Sequence, residues 1–180
     1  MRQLNHPLKL VIYLFIISSF LFLSSKCKKE PQNQTPQLPP ETQTGAGTFG
    51  CLVNGKVWLA TSYFVDNPAI DNIAIYGINK GFDNKGNYIN QNIGISVYKS
   101  LLKEGKYYLD NEPERWANFG DVVKFCDLRT IKDTNNYLQI TRYDLVNRII
   151  AGRFQFTTLP APQDSCDQKI ITKGVFDLKL

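Results

Sequence analysis

Thr48-Phe49-Gly50-Cys51-Leu52-Val53-Asn54-Gly55-Lys56-Val57-Trp58-Leu59-Ala60 is two apolar runs hinged on Asn54-Gly55. Asn and Gly both tolerate the positive φ of a type I′ turn, so the stretch reads as a two-residue β-hairpin. The register follows from the turn. Val53 faces Lys56, Cys51 faces Trp58 and Phe49 faces Ala60, which puts Phe49, Cys51, Val53, Trp58 and Ala60 on one face. Leu52, Val57 and Leu59 share the other. Both faces are apolar enough to place the hairpin in a two-layer or closed β structure.

The same chemistry repeats downstream. Residues 72–79, 92–98, 106–109, 121–125, 137–144, 149–158 and 169–180 are short alternating or β-branched runs, separated by Gly, Asn and Asp. Loops are expected at 79–90, 110–120 and 160–168, with a short hairpin link at 144–148. A short helix is admissible at 130–135 or 112–117. No segment carries a helical stripe over three turns. The expectation is an all-β domain over residues 48–180, an antiparallel sandwich or barrel of about nine short strands.

The N-terminus is built differently. Arg2 and Lys9 precede an apolar run over residues 10–23, followed by Ser24-Ser25-Lys26-Cys27. That is the plan of a secretory signal, and the run is short for a membrane span, which needs about 20 apolar residues. The cysteine at the expected cleavage point resembles a bacterial lipoprotein signal, although Lys26 stands where a small residue normally precedes it. This implies a signal peptide at 1–26 and acylation of Cys27. Residues 28–46 are rich in Pro, Gln, Thr and Asn, with Leu38 the one large apolar side chain. Such composition reads as a disordered tether, so 27–47 forms the lipidated linker.

Charge and residue usage exclude several function classes. Residues 1–26 hold three of the 21 basic residues and none of the 16 acidic ones, so a processed chain carries +2 rather than +5. Signs alternate along it, without the basic stripe that nucleic-acid binding requires. The single histidine, His6, lies in the expected signal. A processed chain therefore lacks Ser-His-Asp and Cys-His catalysis and His-based zinc sites. Carboxylate-only chemistry, as in glycoside hydrolysis, stays open.

Three stretches carry a resemblance. They are residues 44–58, containing Thr48-Phe49-Gly50-Cys51-Leu52-Val53-Asn54-Gly55-Lys56-Val57-Trp58; then 138–144 with 150–156; then Ile171-Thr172-Lys173-Gly174-Val175-Phe176-Asp177. Together they resemble an uncharacterised family of Bacteroidota lipoproteins. Val175 stands where that family typically has arginine. The resemblance implies an envelope lipoprotein with an all-β domain and brings no activity with it.

Cys51, Cys126 and Cys166 remain after Cys27. The hairpin register makes Cys51 core-facing beside Trp58, as suits a buried thiol. Cys126 ends a strand and Cys166 precedes the last one, which favours a Cys126–Cys166 disulfide in an oxidising compartment. Closing that loop would stabilise by about 3–4 kcal/mol. A three-cysteine metal site lacks a close ligand pair. Residues 83–87, Asp-Asn-Lys-Gly-Asn, have a calcium-loop look but place Lys85 where an oxygen ligand is needed, and read as a polar turn. No cofactor or metal is implied.

Two loop features point toward ligands. Glu112-Pro113-Glu114-Arg115-Trp116 joins two carboxylates to an aromatic, the raw material of a glycosidase. Tyr107, Tyr108, Trp116 and Phe119 form an aromatic stretch suited to a glycan or peptide platform, with core or edge packing the competing role. The functional expectation is a lipid-anchored protein of the Gram-negative outer membrane with a non-catalytic binding or structural domain. Its partners would be the membrane, through the lipid, and an envelope protein or glycan. The alternative is a carbohydrate-active enzyme or glycan-binding accessory module.

Overall fold

The computed structural model describes residues 36–66, 71–110, 112, 115–159 and 166–180. The expected signal, Cys27 and residues 28–35 of the tether lie outside the described residues. Eleven strands are described: β1 Thr48–Val53, β2 Lys56–Leu59, β3 Ser62–Asp66, β4 Asn72–Phe82, β5 Tyr88–Tyr98, β6 Gly105–Tyr108, β7 Arg115–Asp121, β8 Cys126–Arg129, β9 Tyr137–Asp144, β10 Ile149–Thr157 and β11 Ile170–Lys179. They form two antiparallel sheets, ordered β2-β1-β11-β10-β9-β6 and β3-β4-β5-β7-β8. The architecture is sandwich-like. At one corner the sheets join through a Thr130–Thr158 bridge, where Ile131 N donates to Thr157 O and Leu159 N to Arg129 O.

The opening hairpin has the register its turn dictates: Val53 pairs with Lys56 and Cys51 with Trp58, and Ala60 N donates to Phe49 O. Asn54 and Gly55 both hold positive φ. Phe49, Cys51 and Trp58 are buried. Phe49 meets Phe154 at 5.1 Å and Phe176 at 6.4 Å between ring centroids, and Trp58 edge-on at 6.1 Å. Ile73, Ile75, Ile93, Ile95, Ala117, Phe119 and Leu128 supply the opposing layer. Phe49 reaches that layer at Gly77, where an added Cβ would overlap its ring.

Strand β11 is central, pairing with β1 and β10. Both registers slip opposite Lys173, which has φ 52°. The slip is a bulge, and it flips the alternation so that Ile171 and then Phe176 and Leu178 all reach the core. Without it one of the two sets would face outward.

The structure departs from the sequence reading in several places. Residues 121–125 are not a strand: Asp121 ends β7, and 122–125 form the turn into β8. Residues 115–120, expected in a loop, are β7, because Ala117 and Phe119 alternate inward although Asn118 and Gly120 mask the pattern. The 79–90 loop shrinks to 83–87, since β4 and β5 pair as far as Phe82 and Tyr88. Among the described residues a single 3₁₀ turn occurs, at Lys99–Leu101; neither 130–135 nor the described part of 112–117 is helical. Strand β3 was not anticipated.

Residues 36–47, assigned by composition to the tether, lie against the outer face of the first sheet. The cause is Asp177. Its neighbours Phe176 and Leu178 face the core, so its carboxylate points to the other side, yet it is only 1% exposed. Thr42 Oγ1 (2.6 Å), Thr44 N (2.9 Å) and Gly45 N (2.6 Å) donate to it. Arg142 Nη1 donates to Gln43 O at 2.5 Å, Arg153 pairs with Glu41, and Gly47 N donates to Asp177 O. Residues 36–180 thus make one compact unit.

Burial pushes the Asp177 carboxyl up, but the bonds from Thr42 and the N–H groups of Thr44, Ala46 and Gly45 outweigh it and hold it below the ordinary aspartate value of 3.8. A carboxyl depressed in the folded state stabilises above its unfolded pKa, and that contribution drains away as pH falls through the folded value. Asp177→Asn is expected to cost about 2 kcal/mol at neutral pH, in line with lost bonds to a charged group. Urea titration at pH 7 and pH 3 checks it, with the gap between variant and parent narrowing in acid. Gly77→Ala should cost about 1–3 kcal/mol by overpacking against Phe49, read as a lower denaturation midpoint at unchanged slope.

Candidate functional site at the disulfide end of the sandwich

A cleft of about 310 Å³ opens between the sheets where the β1–β2 turn, the β7–β8 turn and the start of β11 come together. Trp58 and Phe119 form its apolar part, and Lys56, Lys124 and Lys169 its basic part, with Asp121 and Asp167 as the acidic groups. The Cys126–Cys166 disulfide, its Cα atoms 6.1 Å apart, forms one wall.

A chain of hydrogen bonds crosses the cleft from one sheet to the other. Trp58 Nε1 donates to Gln91 Oε1 at 3.0 Å, and Gln91 Nε2 donates to Asp121 Oδ2 at 3.0 Å. Lys124 N donates to Asp121 Oδ1 at 3.3 Å. Each member is placed by strand register. Trp58 is inward because Cys51, its partner, is inward. Gln91 and Asp121 are opposite each other on β5 and β7, and Cys126 is opposite Asp121 on β8. Asn54 fixes the remaining edge, since its Oδ1 accepts from Ile170 N at 2.8 Å. Asp121 is buried with both oxygens satisfied, so it orients Gln91 and, through it, the indole.

The four aromatics singled out in the sequence do not share a surface. Phe119 is in the core at 2% exposure and lines the cleft. Trp116 alternates to the opposite face of β7, under the Arg129 guanidinium at 5.5 Å. Tyr107 packs against the core, and its hydroxyl accepts from Lys103 N at 2.8 Å. Tyr108 is exposed, with Lys106 Nζ lying over it and over Tyr137. They are therefore not one platform. Glu112 is exposed and accepts from Arg115 N through its backbone carbonyl, while the Arg115 guanidinium pairs with Asp110 at 3.0 Å; Glu114 lies outside the described residues.

Residues 83–87 are a turn held by one carboxylate, Asp83 accepting from Lys85 N, Asn87 N and Asn87 Nδ2. The thiol of Cys51 is free, buried and raised well above its ordinary value by desolvation. It is a packing group rather than a nucleophile. Among the described residues no grouping of three His, Cys, Asp or Glu side chains could hold a metal ion.

Comparison with protein-family models, curated proteins and solved structures produced no match. What the cleft does must be argued from its own chemistry. Asp121→Ala leaves the half-buried Gln91 amide and the Lys124 N–H without their acceptor and is expected to cost about 1–3 kcal/mol. Reducing the disulfide is expected to cost about 3–4 kcal/mol. Guanidinium titrations of parent, variant and reduced protein check both figures.

Proposed function

We propose that this chain is a lipid-anchored protein of the cell envelope, acylated at Cys27 and held on the outer membrane. Its β domain binds a ligand in the Trp58–Asp121 cleft rather than transforming it. The observation that carries this reading is the hydrogen-bond chain Trp58–Gln91–Asp121, which holds an indole, an amide and a carboxylate in set positions inside a concave space. Pre-ordered polar groups beside apolar walls are what small-molecule sites require. Three lysines at the same opening favour a ligand bearing negative charge, such as an acidic glycan fragment.

The anchoring half of the proposal is supported by the basic n-region, the 14-residue apolar run and Cys27, and by the resemblance to Bacteroidota lipoproteins. A net charge of +2 after processing gives no support for a nucleic-acid partner.

A carbohydrate-active enzyme or accessory module is the second reading, favoured by one observation: Asp121 and Asp167 line a single cleft. Asp121 is committed as an acceptor to Gln91 and Lys124, which suits a positioning role better than proton transfer.

Two measurements test the proposal. Intact mass spectrometry of the membrane-extracted protein should show cleavage before Cys27 plus fatty acyl chains; an unmodified, uncleaved chain defeats the anchoring half. Titration of a Trp116→Phe variant, which leaves Trp58 as the sole indole, with acidic and neutral oligosaccharides should give saturable fluorescence changes for acidic ones, lost in Asp121→Ala. Release of shorter sugars that disappears in Asp121→Asn or Asp167→Asn would transfer the assignment to the enzyme.

A further inference from the structure

Next to the cleft, two hairpin tips carry apolar side chains into solvent. The β4–β5 tip presents Phe82, 74% exposed, and Tyr88, their rings 5.6 Å apart and edge-on. The β7–β8 turn presents Val122, Val123 and Phe125, the last 87% exposed. Register makes the tips neighbours. Val122 N donates to Asn90 O, and Asn90 sits two residues from Tyr88 and opposite Lys80 on β4. Solvated turns ordinarily use Gly, Asn, Asp and Ser. Two β-branched residues and a phenylalanine are a poor choice for this one on folding grounds.

Backbone conformation supplies an independent observation. Phe125 closes the turn at φ 55°. A bulky residue in this left-handed region is uncommon and strained, whereas Gly or Asn adopts it readily. Strain at an exposed site that contributes nothing to the core points to selection for something outside the fold. Lys80, Lys85 and Lys124 lie on or beside the tips, and the cleft that Lys124 also lines holds Lys56 and Lys169 with Asp121 and Asp167. The Asp83 carboxylate is turned into its own loop.

We propose that Phe82, Tyr88, Val122, Val123 and Phe125 form a membrane-contacting surface that inserts into the interface of a bilayer with anionic headgroups, its lysines meeting the phosphates. Aromatic rings and aliphatic tips with flanking cations match that interface in both layers of its chemistry. The apolar tips are not part of the ligand cleft, although Lys124, at its mouth, belongs to both. An acyl anchor alone leaves the domain free to stand off at the end of its linker, whereas such a surface would hold the domain itself against the bilayer.

The test uses the chain from residue 27 onward with Cys27→Ser, which has no acyl chain and retains residues 36–180 as a unit. Flotation with vesicles of equal phosphatidylglycerol and phosphatidylethanolamine should recover it. Phosphatidylcholine vesicles should not, and about 0.5 M salt should weaken recovery by shortening the range of charge attraction. Phe125→Gly should cut partitioning about tenfold by removing an interfacial aromatic, while its melting temperature stays level or rises as strain is relieved. Val146→Ser, in the exposed β9–β10 turn, should bind like the parent. Absence of phosphatidylglycerol binding overturns the proposal, as does Phe125→Gly binding equal to the parent or loss on Val146→Ser. A concentration-dependent dimer abolished by Phe125→Gly without vesicles would also overturn it, assigning the patch to a second copy.

Discussion

A carboxylate on the outer side of the central strand sets the terms for one whole layer of this domain. Strand β11 must turn Phe176 and Leu178 inward to complete the aromatic core, so Asp177 between them is forced outward. Buried there, the charge needs donors. The chain ahead of β1 supplies them from Thr42, Thr44 and Gly45, and so closes over the first sheet. A buried anion without those partners would cost several kcal/mol. The position of residues 36–47 therefore follows from a residue more than 130 positions later in the chain.

Much of the fold is legible from short-range chemistry. Asn54-Gly55 dictates a turn, the turn dictates a register, and the register sorts Phe49, Cys51 and Trp58 from Leu52, Val57 and Leu59. The Cys126–Cys166 bond likewise follows from assigning Cys51 to the core. Failures cluster where composition and burial part company. Residues 36–46 look like linker because their partner, Asp177, is remote in sequence. Strand β7 looks like a loop because Asn118 and Gly120 occupy its outer face. Residues 122–123 look like a strand because valine favours sheets, yet both side chains are exposed in a turn.

The candidate site was less visible. Phe119 reads from the sequence as a candidate ligand-facing aromatic and does line the cleft, but from the core side. Trp58 reads from the sequence only as a core residue. Gln91 and Asp121 carry no local signal at all: a glutamine in an alternating strand and an aspartate before two valines are unremarkable until β5 and β7 pair. Sites assembled from four strands are written in tertiary register, and a single sequence exposes register only at its tight turns.

The isolation of Cys51 has a consequence for how this molecule matures. Thiol–disulfide exchange proceeds through a thiolate with access to sulfur. In the folded domain the one free thiol described is enclosed, kept protonated by its apolar surroundings and tied into the Phe49–Trp58 layer. It cannot scramble the Cys126–Cys166 crosslink. An unfolded chain offers no such protection, because Cys51, Cys126 and Cys166 are then equally accessible. Burial of Cys51 by the first hairpin thus leaves Cys126 and Cys166 as the pair free to join, so an early strand of the domain restricts the bonding of two sulfurs in its second half.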